Sequence, residues 1–136
     1  MRKIKILFGL LIVTCVFSLL GVNASSYASF IGIDIPAFNG NYTSGYYTKT
    51  EYGNQYFKKT SAIDQLSGDE RAIQARLKDT AESWVTAPKG QVVQLDSSNY
   101  GSGLGTGSYR INIRASKSTV SKAWFNGYWY LDASAV

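Results

Sequence analysis

The chain has 136 residues, 14 Lys+Arg against 9 Asp+Glu, 45% hydrophobic and 14% aromatic content, one cysteine and no histidine. The absence of histidine excludes Ser-His-Asp and Cys-His catalysis and His-based zinc sites. A single cysteine excludes any disulfide within the chain.

The N-terminus reads as a secretory signal peptide. Arg2, Lys3 and Lys5 form a positive n-region, and Ile6 to Leu20 form an apolar run broken only by Gly9, Thr14 and Ser18. Val22 and Ala24 then supply the small residues that a signal peptidase reads. Cleavage is expected between Ala24 and Ser25, with Ala28 as a second candidate. The apolar run is shorter than the roughly 20 residues a membrane span needs, so an uncleaved anchor is not expected. Cys15 follows Thr14 rather than Gly or Ala and sits in mid-run, which argues against a lipidation site. With Arg2, Lys3 and Lys5 removed, 11 basic residues face 9 acidic ones. That balance suits an anionic cell envelope and is too small to call for nucleic acid.

Residues 25–136 are of a size for one domain with one core and carry no cysteine. Tyrosine, glycine and serine are frequent and Pro36 and Pro88 are the prolines, a composition that favours strands. In chain order, Phe30 to Ile35 is a predicted strand with Ile31, Ile33 and Ile35 on one face, ended by Pro36. Asn39 to Gly45 reads as a polar loop, and Tyr46 to Thr50 and Tyr56 to Ser61 as strands around a Gly53-Asn54 turn. The stretch from Ser67 to Trp84 supports two readings. Ser67-Gly-Asp-Glu70 has the form of a capping box, with Ile73, Leu77, Ala81 and Trp84 on one helical face. The same stretch alternates, with Ile73, Ala75 and Leu77 against Ala72, Gln74, Arg76 and Lys78. A short strand, Val92 to Leu95, follows the Pro88-Lys89-Gly90 turn, and Gly101 to Ser108 reads as a glycine-rich loop. Tyr109 to Ser116 alternates cleanly between apolar and polar residues. Trp124 to Leu131 ends the series, with Trp124, Tyr128 and Tyr130 on one face and Phe125, Trp129 and Leu131 on the other. Seven short strands in one domain of this length describe a small, monomeric, antiparallel β-sandwich.

The remaining acids, Asp34, Glu51, Asp64, Asp69, Glu70, Asp79, Glu82, Asp96 and Asp132, follow neither a glycosidase-like nor an EF-hand pattern. No catalytic residue, metal site or cofactor is expected, and the protein is read as non-enzymatic. The candidate binding site is a ribbon of tyrosines and lysines: Tyr42, Tyr46, Tyr47, Lys49, Tyr52, Tyr56, Lys58 and Lys59. Exposed tyrosines offer flat, rigid contact surfaces with a polar tip, and lysines attract anionic polymers. The expected partner is a cell-wall polymer or a surface protein, met outside the cell or in loose association with the wall.

Taken together, Phe30 to Ile35, Asn39-Gly-Asn-Tyr-Thr-Ser-Gly-Tyr-Tyr-Thr-Lys-Thr50, Ala75-Arg-Leu-Lys-Asp79 and Phe125-Asn-Gly-Tyr-Trp-Tyr-Leu-Asp132 resemble a family of small secreted proteins of unknown function from Gram-positive bacteria. That resemblance implies a strand at Ala75 to Asp79, so Arg71 to Asp79 is expected as strand rather than helix. Lys59-Thr-Ser61, Arg114-Ala-Ser-Lys117 and Lys122-Ala-Trp-Phe-Asn126 are similar to secreted β-sandwich bacteriocins of the lactococcin type. Their His-rich N-terminal part has no counterpart here. This second resemblance implies an alternative function, an antimicrobial protein acting on the cell wall or membrane.

Overall fold

A computed structural model describes residues 26–80, 82–96 and 104–136. The expected signal peptide, Cys15, Ala81 and Gly101 to Gly103 lie outside the described residues. The described residues form ten strands: β1 (Tyr27–Ile35), β2 (Asn41–Thr43), β3 (Tyr47–Lys49), β4 (Tyr56–Asp64), β5 (Ile73–Leu77), β6 (Val85–Ala87), β7 (Val92–Gln94), β8 (Gly107–Tyr109), β9 (Ile111–Ala115) and β10 (Ala123–Tyr130). A 3₁₀ turn, Ala133–Ala135, follows β10. Two four-stranded antiparallel sheets form, sheet A in the order β1-β10-β4-β7 and sheet B in the order β2-β9-β5-β6. β3 and β8 pair separately. The antiparallel β-sandwich read from the succession of short strands is the fold.

Period-two alternation supplies the core, because successive side chains of a strand point to opposite faces. Phe30, Ile35, Phe57, Ala62, Phe125 and Trp129 come inward from sheet A, and Ile73, Ala75, Leu77, Ile111 and Ile113 from sheet B. Phe57 and Phe125 stack at 5.6 Å with planes 6° apart, and Phe30 meets Tyr42 of the opposing sheet edge-on at 6.0 Å.

Two bulges break that alternation and alter the expected faces. In β1 the register shifts between Phe30 and Ile33. Gly32 takes φ +60° there and donates its N–H to Asn126 Oδ1 at 2.8 Å. Ile31 is therefore turned out, 83% exposed, while Ile33 packs against the core and Ile35 is buried within it. The expected grouping of Ile31 with Ile33 and Ile35 is corrected accordingly. β1 lies at the edge of sheet A, where a bulge also hinders further strand pairing. The second bulge lies between Asn126 and Gly127 of β10 and their partners in β4. It moves the inward positions of β4 from Phe57 and Lys59 to Ala62 and Asp64.

The contested segment is strand, and β5 sits between β9 and β6. The residues of the apparent capping box build a hairpin turn instead. Asp64 accepts N–H bonds from Leu66 at 2.9 Å and Ser67 at 2.8 Å, Gly68 takes φ +74°, and Glu70 Oε1 accepts the Ala62 N–H at 2.9 Å. The loop expected at Gly101 to Ser108 is shortened at its far end, since Gly107 and Ser108 belong to β8.

Candidate functional site

The expected ribbon does not stay together, because its residues fall on different elements. Tyr42 points inward from β2 onto the core, and burial pushes its hydroxyl pKa up, with a further rise from Tyr47. Tyr47 packs edge-on against Trp129 at 5.6 Å and Phe30 at 6.5 Å. Tyr46 is 64% exposed, with the Arg110 guanidinium 4.8 Å from its ring centre, and Tyr52 is also exposed.

Two of the three lysines are structural, which corrects the expectation of three exposed ammonium groups. Lys49 is 1% exposed: its ammonium donates to the Leu131 carbonyl and lies 3.6 Å from Asp132. Lys59 is 4% exposed, donates to the Arg71 carbonyl at 2.8 Å and pairs with Glu70 at 3.3 Å. An inward strand position forces each stem into the interior, and each charge there meets a carboxylate and a carbonyl.

The acids likewise serve the fold. Asp64 is wrapped by the Ser121 hydroxyl, the Ser67 and Leu66 amides and the Arg71 guanidinium, which together hold its carboxyl well below the usual range. Burial works against ionisation of Asp132, yet bonds from Thr50, Ser26 and Glu51 outweigh it and keep its pKa low. Asp96 is pushed up by burial, against a stabilising bond from the Gln55 N–H at 3.1 Å. Among the described residues no group of three or more His, Cys, Asp or Glu could hold a metal ion. A depression of about 110 Å³ lined by Glu70, Arg71, Ala72, Ala115, Lys117 and Thr119 is smaller than the roughly 300 Å³ at which ligand pockets begin.

What the sandwich does assemble is a flat aromatic face on the outside of sheet A. Tyr128 and Tyr130 of β10 stack at 6.0 Å with planes 20° apart. Their register neighbours extend the row: Tyr130 lies opposite Tyr27 of β1 and Tyr56 of β4, and Tyr128 lies opposite Lys58. Trp124, 51% exposed, continues the face along β10. Between it and Tyr128, Asn126 donates to Ser61 Oγ at 2.9 Å. Burial raises the Tyr130 pKa, with Tyr128 adding to the rise, so its hydroxyl stays protonated and can donate. Tyr56 and Lys58 thus come from the expected ribbon, while Trp124, Tyr128 and Tyr130 come from the alternation of the last strand. Tyr27 precedes the predicted start of β1 and had no periodic signal to mark it. β10 is a central strand with its outer face open, so its second apolar row faces solvent rather than a further layer.

The chain matches no known family by comparison with family models, no curated protein and no solved structure. Class and site therefore rest on geometry alone: an all-β sandwich with a flat aromatic face. Among the described residues, no helix is long and apolar enough to cross a membrane.

Proposed function

We propose that this is an exported, non-enzymatic binding module whose sheet A face docks on the sugar rings of a cell-envelope polymer. The observation that carries the reading is the stacked Tyr128–Tyr130 pair set in register between Tyr27 and Tyr56, with Trp124 beyond it. Aromatic rings on a rigid sheet lose little conformational freedom on contact, and their π faces suit the C–H faces of pyranose rings. Lys58 and the tyrosine hydroxyls supply polar contacts beside the rings. An exposed row of this kind costs solubility unless it is covered in use. The flatness of the face favours an extended polymer over a small molecule, which would need a pocket.

Cosedimentation of the purified protein with insoluble envelope polysaccharide tests the proposal. The wild type should pellet with the polymer, and Trp124→Ala and Tyr128→Ala should each weaken binding about tenfold while unfolding at nearly the wild-type temperature. Undiminished binding by both variants would remove the sheet A face from consideration.

A further inference from the structure

The opposite side of the sandwich carries a second constellation. Arg76 of β5, Arg114 of β9 and Trp84, just before β6, come together on the outer face of sheet B. The guanidinium carbon of Arg114 lies 3.9 Å from the centre of the Trp84 ring and that of Arg76 lies 4.5 Å from it. Two like charges therefore share one indole. The ring quadrupole attracts both, but nothing in it neutralises either.

Among the described residues neither arginine meets a carboxylate. The ion pairs among the described residues use Lys49, Lys59, Arg71, Lys89 and Arg110. The outward positions of β2, β9, β5 and β6 carry Arg, Gln, Asn and Thr and no acid. Arg114 commits its Nε to Gln74 Oε1 at 3.1 Å, leaving both Nη groups for another acceptor. The Arg76 Nε is shut off from solvent and has no protein acceptor. A buried N–H without a partner is costly, and a guanidinium fork is shaped for oxyanions. An anion seated on the Nη groups of the two arginines would answer the uncompensated charge.

We propose that Arg76, Arg114 and Trp84 form an anion site for a phosphodiester polymer. Arginine is the side chain suited to phosphate oxygens, and a polymer that repeats a singly charged phosphate can bring neighbouring groups to the two guanidiniums without one group having to bridge them. The outward positions of β2, β9, β5 and β6 carry no large apolar side chain to insert into a bilayer. The Trp84 ring is occupied by two guanidinium groups, which leaves it poorly placed to stack on nucleic-acid bases. The site is independent of the sugar-binding reading, since it lies on the other sheet.

Isothermal titration of the purified protein with poly(glycerol phosphate) of defined length tests the assignment. Arg76→Gln with Arg114→Gln should weaken binding at least about tenfold. Arg76→Lys with Arg114→Lys keeps the charges but not the forks; it should also bind several-fold more weakly, and it serves if the glutamine variant fails to fold. Lys117→Gln with Lys122→Gln removes the same charge elsewhere and should change affinity less than about threefold. Wild-type affinity should fall steeply with salt, and the glutamine variant should show a shallower slope. Wild-type affinity in the lysine-for-arginine variant, an equal loss in the Lys117/Lys122 control, or equally tight binding of polyglutamate, single-stranded DNA or phosphatidylglycerol vesicles would overturn the assignment.

Discussion

Asp132→Asn should be among the most damaging single-atom changes this fold can suffer. Asp132 joins the start of the described chain to its end: it accepts N–H bonds from Ser26 at 2.7 Å and from Thr50 and Glu51 at 3.0 Å each, together with the Thr50 hydroxyl. It also faces the Lys49 ammonium, and both side chains are fully shielded from solvent. An asparagine keeps one oxygen for Thr50 and Glu51. Its amide, however, turns a donor toward the Ser26 N–H and leaves the buried Lys49 without a countercharge. Removing one partner of a buried pair costs on the order of 3–5 kcal/mol. The lower end applies here because the Leu131 carbonyl still accepts from Lys49. The expected loss is about 3 kcal/mol, or a fall in Tm of roughly 10–15 °C for a domain of this size.

The acid limb supplies an independent check. A carboxyl whose native pKa lies below its unfolded value stabilises fully above the unfolded value, near pH 4, and loses that stabilisation as pH falls through the native one. Asp132 and Asp64 both titrate low in the folded protein. Stability of the wild type should therefore decline below about pH 4, and Asp132→Asn should flatten part of that decline. Urea denaturation followed by tryptophan fluorescence from pH 2 to 7 measures both effects. A variant within about 1 kcal/mol of wild type at pH 7, with an unchanged acid slope, would refute the reasoning.

A Cβ at position 127 would fall 2.4 Å from the Lys58 carbonyl and 2.5 Å from the Phe125 ring, so Gly127→Ala should cost about 2–3 kcal/mol by thermal melting. The strand-pair tyrosines should separate by role. Tyr47→Ala removes the ring packed on Trp129 and Phe30 and should cost about 2–3 kcal/mol, whereas Tyr46→Ala loses a surface contact with Arg110 and should cost under about 1 kcal/mol.

The fold was legible because its strands alternate. β9 reads directly as Ile111, Ile113 and Ala115 inward against Asn112 and Arg114 outward, the pattern of a strand with one face on a core. β5 shows the limit of local signals. Ser67 to Glu70 carries the same residue types that cap a helix or close a hairpin, and tertiary contacts at Asp64 and Ala62 decide between them. Bulges hide from pattern reading, since the extra residue in β1 reverses the face of Ile31 without altering its apolar character. The candidate ribbon failed for a related reason. Adjacency in sequence placed Lys49, Lys58 and Lys59 together, but strand parity puts Lys58 outside and sends Lys59 into a buried pair, while the β3 position of Lys49 meets Asp132. The aromatic face is a cross-strand property of β1, β10 and β4, and register between strands is written in no single segment.

The most direct test of the binding account is an amide ¹H–¹⁵N titration of the protein with soluble oligosaccharides released from envelope polysaccharide. Chemical-shift changes should concentrate on Tyr27, Tyr56, Lys58, Trp124, Tyr128 and Tyr130 and their register neighbours, with sheet B unmoved by these uncharged sugars. Shifts confined to the Tyr46 and Tyr52 segment or spread over sheet B, or a spectrum unchanged at millimolar sugar, would contradict it.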